Sequence, residues 1–231
     1  MPFAKLQMSK DEKKIIAISV AISVFLIVLA IAYIIVRRIK NREILKLMRE
    51  AAIDFVFWSG KKETDPIVSS TLVDYWKTAG VSFTKNQMQD ASVHSTYPWS
   101  SAYISDLVTR SGFENFKPST THAKYVLDAK KNRSTKLTPA YWAFKPSENQ
   151  KVEIGDILVA PRGSNPTLDT LTASTPTHGD IVIGFEKENG NLFAIAQGGN
   201  VGNTVKQRRF LLTKNKTLSN TGHFAHLKYI K

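Results

Sequence analysis

The segment TPTHGDIVIG at residues 175–184, read with LFAIAQGGN at 192–200, decides the fold. Asp180–Phe185 and Leu192–Ala196 are short β-branched or aromatic runs, and the turn residues Glu188-Asn189-Gly190-Asn191 lie between them, the pattern of a hairpin. Further out, the same texture recurs at Tyr141–Phe144, Ile157–Ala160, Val205–Leu212 and Phe224–Ile230. On the N-terminal side the punctuation is helical. Asp65 before Pro66 opens a run that Gly80 closes, Pro98 opens WSSAYISDLVTRS, which Gly112 ends, and Ser119 is placed to cap a third helix through Ala129. Residues 81–96 are polar and aperiodic and read as a loop. Helices first and strands afterwards predict an α+β domain with an antiparallel sheet over residues 61–231.

Upstream lies a different kind of segment. Residues 15–36, IIAISVAISVFLIVLAIAYIIV, run for 22 residues without a charge between Lys13-Lys14 and Arg37-Arg38. As a helix this is about 33 Å long at 1.5 Å per residue, enough for a hydrocarbon core of about 30 Å. A transmembrane helix is predicted there, behind a short polar tail at 1–14. Four Lys precede the span, and six Lys or Arg follow it before residue 50, which biases the bulk of the chain weakly to the cytoplasmic side. Residues 37–60 read as a basic amphipathic juxtamembrane helix, with Ile44, Leu45, Met48, Ala52, Phe55 and Val56 at three- and four-residue spacings. That apolar stripe suits either a membrane surface or packing on the domain.

Composition narrows the chemistry. The 231 residues contain 32 Lys and Arg against 19 Asp and Glu, a formal charge of +13, and no cysteine. A disulfide framework, a Cys-ligated metal and a Cys nucleophile are all excluded. The charge predicts attraction to polyanions, among them anionic lipid and cell-wall polymer; nucleic acid has only the charge in its favour. There is no GxxxxGK[ST], HExxH or GxSxG motif. GGNVGN at 198–203 has the wrong spacing for a dinucleotide loop, and the SxxK matches at Ser59 and Ser82 lack companion motifs. His223 and His226 have no carboxylate partner in sequence, and no metal or cofactor is implied.

What remains is a polar constellation. Ser100 and Ser101 stand in the first turn of a helix, His178 at the mouth of a strand, and Gln197 and Asn200 at the end of the next strand. A hairpin brings the last three together, and the helix can present its N-terminus to them, so nucleophile, base and orienting group would meet. The order of these motifs resembles the cell-wall amidase and endopeptidase superfamily of papain-like fold, the CHAP and NlpC-type enzymes. Trp99-Ser100-Ser101-Ala102-Tyr103 is similar to the start of their nucleophile helix, Ile154–Val159 to a Gly-Asp strand opening, His178–Val182 to the histidine strand, and Gly198-Gly199-Asn200 to the third motif. More narrowly, WSSAYIS, His122-Ala123-Lys124-Tyr125 and GGNV resemble a bacterial and phage domain family of unknown function that keeps serine at the nucleophile position.

The resemblance covers roughly residues 60–230. It implies Ser100 as nucleophile, His178 as general base, Asn200 as the group orienting the imidazole and Gln197 as an oxyanion donor. Asp180, Trp99 and His122 take supporting or site-lining roles. A serine ionises far above neutral pH, and a helix dipole worth about 0.3–1 kcal/mol does not close that gap, so a histidine must take its proton during attack. Two functions stand open. One is a membrane-anchored hydrolase of peptidoglycan amide bonds, possessing a Ser-His-(Asn) site, in a bacterial inner membrane or as a virion-associated or lytic factor. The other is a catalytically inactive, membrane-tethered binding or structural module of a cell envelope or viral internal membrane.

Overall fold

The computed structural model describes residues 23, 26–29, 41–163, 165–219 and 222–231. The predicted span at 15–36 lies outside the described residues apart from Ser23 and 26–29, which are helical. Among the described residues no helix is long and apolar enough to cross a membrane. Glu43–Lys231 form one compact unit, and the site lies within it.

The unit is α+β. Helices α1 (Arg42–Trp58), α2 (Ser69–Thr78), α3 (Ala91–Thr96), α4 (Ser100–Ser111) and α5 (His122–Ser134) come first. Six strands follow: β1 (Ala140–Phe144), β2 (Ile157–Pro161), β3 (Thr177–Glu188), β4 (Asn191–Gly198), β5 (Lys206–Leu212) and β6 (Ala225–Ile230). They form one sheet in the order β1-β6-β2-β3-β4-β5, with every pairing antiparallel. The β3–β4 turn is Asn189-Gly190, both at positive φ (49° and 78°), the backbone that a two-residue hairpin of this twist requires. Strand β3 starts at Thr177, three residues before the predicted start, so His178 belongs to the sheet itself.

Side chains alternate across the sheet. Ile181 faces the main core beneath the helices, whereas Leu158 and Val182 build a second cluster on the opposite face. Two local expectations fail. The loop read over 81–96 contains α3, whose cap Asp90 accepts from the Ser92 N–H at 2.8 Å, and a 3-10 turn at Gln87–Gln89. Helix α5 begins at His122 after Thr121, and the Ser119 hydroxyl instead accepts from the Thr121 N–H at 3.2 Å.

Apart from Ile44, which packs on the core, helix α1 turns its predicted apolar stripe outward. Its buried stripe is Leu47, Ala51, Asp54 and Trp58, while Leu45, Met48, Ile53, Phe55 and Val56 are exposed. Polar anchors set this orientation. Arg110 on α4 donates to Glu50 at 2.6 Å, to Asp54 at 2.7 Å and to Asp106 at 2.6 Å, and Gln197 donates to the Ala51 carbonyl at 2.8 Å. Trp58 stacks on Trp99, with ring centroids 4.8 Å apart and planes 17° apart.

The Arg110 cluster carries a pH signature. Burial pushes the Asp54 carboxyl up to about 6, opposed by Arg110 and reinforced by Asp106 and Glu50. An unfolded aspartate titrates near 3.9. Between about pH 4 and 6 the folded chain therefore keeps a proton that the unfolded chain has lost, so stability falls as pH rises through that window. At about 1.4 kcal/mol per unit, the wild type loses up to about 3 kcal/mol relative to Asp54→Asn over this range. The difference between their unfolding midpoints from pH 4 to 7 measures it; parallel curves would exclude the shift.

Candidate active site

Ser100 is the first residue of α4, after Pro98 and Trp99. The leading N–H groups of a helix have no partner within it and carry partial positive charge, so this hydroxyl sits where a developing anion is favoured. Its Oγ lies 2.8 Å from His122 Nε2. His122 opens α5, and one turn later the Tyr125 hydroxyl is hydrogen-bonded to His122 Nδ1. These groups lean on β3 at Gly179, where a Cβ would stand 2.6 Å from the Tyr125 hydroxyl and 2.8 Å from His122 Nδ1. Glycine there is a condition of the arrangement.

Burial, followed by the nearby His178 and Arg162, holds His122 well below the ordinary histidine pKa of 6.5. The imidazole is therefore neutral near pH 7. With Nδ1 donating to the Tyr125 hydroxyl, Nε2 is free to accept the Ser100 proton.

His178 stands in a second, adjoining network. Its ring packs 5.5 Å from that of His122, its Nδ1 accepts from Arg162 Nη2 at 2.9 Å, and its Nε2 lies 3.1 Å from Asp180 Oδ1. Acceptance at Nδ1 puts the proton on Nε2, so His178 donates to Asp180. Arg208 donates to the other Asp180 oxygen. Burial raises the Asp180 carboxyl, but His178 and Arg208 outweigh it and hold the group below the usual range. Gly198 leaves the space for that carboxylate, since a Cβ there would overlap Asp180 Oδ1.

These placements revise four sequence-based roles. His178 does not bond Ser100: it alternates with Gly179 on β3, its ring meets that of His122 edge to face, and both of its ring nitrogens are engaged by Arg162 and Asp180; His122, from the helix layer, takes the place beside the serine. Asn200 lies in a left-handed turn at φ 55°, and the His178 ring is oriented by Asp180 and Arg162 instead. Gln197, paired with Ile181, faces the helices and is fully buried. Its amide donates to Ala51 O and, at 2.6 Å, to the Tyr103 hydroxyl, while its carbonyl accepts from Gln207 at 3.0 Å, so it has no donor left for an oxyanion. Trp99 is a core residue whose Nε1 donates to Glu63 at 2.7 Å. Ser101 donates to the Ser119 carbonyl at 2.9 Å and is tied down.

A cavity of about 160 Å³ opens on Ser100 and His122, bordered also by Arg162, Thr121, Ser174 and Thr177. Among the described residues there is no cluster of three His, Asp or Glu arranged to hold a metal ion. His226 belongs to another network, 2.6 Å from Asp156 Oδ2.

Residues 55–229 match the family model described as an uncharacterized protein conserved in bacteria, DUF2272. The chain is a DUF2272 protein. No curated protein and no solved structure matches it. The matched region of this DUF2272 chain contains Ser100, His122, Tyr125, Arg162, His178, Asp180 and Arg208, and it leaves out most of α1. Sequence reasoning missed Arg162 and Arg208 because two arginines among 32 basic residues carry no distinguishing pattern. Tyr125 stood in the quoted HAKY segment, three residues after His122, and that helical spacing was the available signal.

Proposed function

We propose that this protein is a membrane-tethered amide hydrolase of papain-like architecture acting on cell-wall peptides. Ser100 is its nucleophile, His122 its general base and Tyr125 the group that orients the imidazole. The observation that carries the reading is the 2.8 Å contact between Ser100 Oγ and a neutral His122 at a helix N-terminus, beside a cavity. In the step it supports, Ser100 Oγ bonds to the amide carbonyl carbon as its proton passes to His122 Nε2. That proton then goes to the leaving amine as the C–N bond breaks. Water, activated by the same imidazole, splits the ester and restores the serine. The N–H groups at the start of α4 are placed to stabilise the oxyanion, and Asp180, Arg162 and His178 brace the base from the sheet.

The tether rests on the 22-residue apolar run at 15–36. The outward stripe of α1 supports it further, because Leu45, Met48 and Val56 lie exposed beside Lys46 and Arg49, as on helices that rest at an anionic membrane surface. One observation favours a second reading, a wall-binding module without turnover: Ser100 is only 3% exposed and His122 only 2%.

One experiment separates the two. The detergent-solubilised full chain is incubated with purified sacculi, and new amino groups are counted. Turnover predicts amine release; retention on sacculi with no new amines establishes the module. For the hydrolase, the acid limb of the rate profile lies well below pH 6.5, where the base finally takes up a proton, and activity is flat from pH 6.5 to 8, where it is neutral. A limb centred on the ordinary histidine value would remove His122 from the role.

A further inference from the structure

We infer that the cavity beside Ser100 receives the free C-terminal carboxylate of a peptide that ends in a small residue. The inference extends the hydrolase reading from an amide bond in general to removal of a terminal residue, although binding itself needs no turnover. Three independent features converge on one cavity. The first is cationic: Arg162 lines it, and among the described residues no Asp or Glu does. The guanidinium gives one N–H to His178 and keeps further donors, and a carboxylate is the anion that this planar fork matches best.

The second is a hydroxyl without a partner. Thr177 is 8% exposed and borders the cavity, and its Oγ1, which lies just beneath the accessible surface, makes no hydrogen bond among the described residues. Buried hydroxyls are almost always paired, so an orphan on a residue of the cavity wall is a donor that a side-chain rotation can offer to a ligand atom. The third is the N-terminus of the 12-residue helix α4, whose leading N–H groups complete a positive environment around Ser100.

Size selects the residue. At about 160 Å³ the cavity falls below the roughly 300–1,000 Å³ of sites for drug-sized ligands. It matches an engineered cavity of about 150 Å³ that admits benzene. A C-terminal alanine with its carboxylate has as many non-hydrogen atoms as benzene, whereas an acylated sugar ring has more than twice as many. With its carboxylate held by Arg162 and Thr177, such a residue places the amide on its N-terminal side toward Ser100, which lines the same small space. Attack there would release the terminal residue as a free amino acid.

The test uses the full chain in detergent micelles with N-acetylalanine (both enantiomers), N-acetylalaninamide and inorganic phosphate as probes, followed by ligand-observed NMR titration. One enantiomer of the acid should bind at least about tenfold more tightly than the amide and than phosphate. Arg162→Gln and Thr177→Val should each abolish that preference, with Thr177→Ser retaining it and unfolding midpoints confirming that the variants fold. Equal binding of acid and amide, equal binding of phosphate, or no binding overturns the carboxylate site, as does an acid preference that survives Arg162→Gln. Peptides with free and amidated C-termini then separate this site from the hydrolase reading. Cleavage of both at equal rates leaves the enzyme and removes the site; acid-selective binding with no cleavage leaves the site and removes the enzyme.

Discussion

If the protein is the proposed hydrolase, Ser100→Ala should abolish amine release from sacculi and His122→Gln should lower it by about 10²–10⁴-fold, the range lost when a positioned general base is removed. The two losses do not add. On that reading Ser100 and His122 act as one unit through their 2.8 Å contact, so the double variant should be scarcely worse than the more impaired single one. His178→Gln separates this arrangement from the one that the sequence suggested. If His178 only braces the base, its loss removes the ring contact with His122, worth about 0.5–1.5 kcal/mol, a change of up to about tenfold in rate. Rates measured on one sacculus preparation decide the point. A His178 variant as damaged as the His122 variant would return the base to the strand, and an active Ser100→Ala would move the nucleophile elsewhere.

Trp99→Ala should be the most destabilising single change near the site, at about 3–5 kcal/mol. Trp99 is wholly buried, stacks on Trp58 and lies 6.2 Å from Tyr75 and 6.4 Å from Tyr103. Its removal opens a void where α1, α2 and α4 meet and leaves the Glu63 carboxylate, 7% exposed, without its indole donor. Trp99→Phe keeps most of the stack but still orphans Glu63, a loss of about 1–3 kcal/mol. The urea midpoint reads both changes. A loss below about 1 kcal/mol for the alanine variant would mean that the aromatic cluster does not hold the start of α4.

The parts of this fold that were legible from the chain were those written locally. β-Branched and aromatic runs give β2 and β4, Asn189-Gly190 gives the hairpin, and the Pro98 to Gly112 punctuation gives α4, which ends on Gly112 at φ 85°. What was not legible depends on distant partners. The face that α1 buries is fixed by Arg110 and Gln197, 56 and 146 residues away from the groups they bind, and helical periodicity carries no record of either. A six-residue helix such as α3 is too short for a periodic signal and depends on its cap, Asp90. At the site, the motifs located the serine and the strand histidine. The choice between His178 and His122 turned on the alternation of β3 and on the bare Cα of Gly179, which lets α5 lie against the strand.

The clamps on α1 have a mechanical meaning. Gln197 joins Ala51 to Tyr103, and Arg110 joins Glu50 and Asp54 to Asp106, so the N-terminal helix and the helix that begins at Ser100 are fastened at several points along their lengths. A pull applied at the Glu43 end is therefore shared between the two helices as a shear load across ionic and amide contacts. Load on α1 therefore reaches α4, the helix that begins at Ser100, through these contacts.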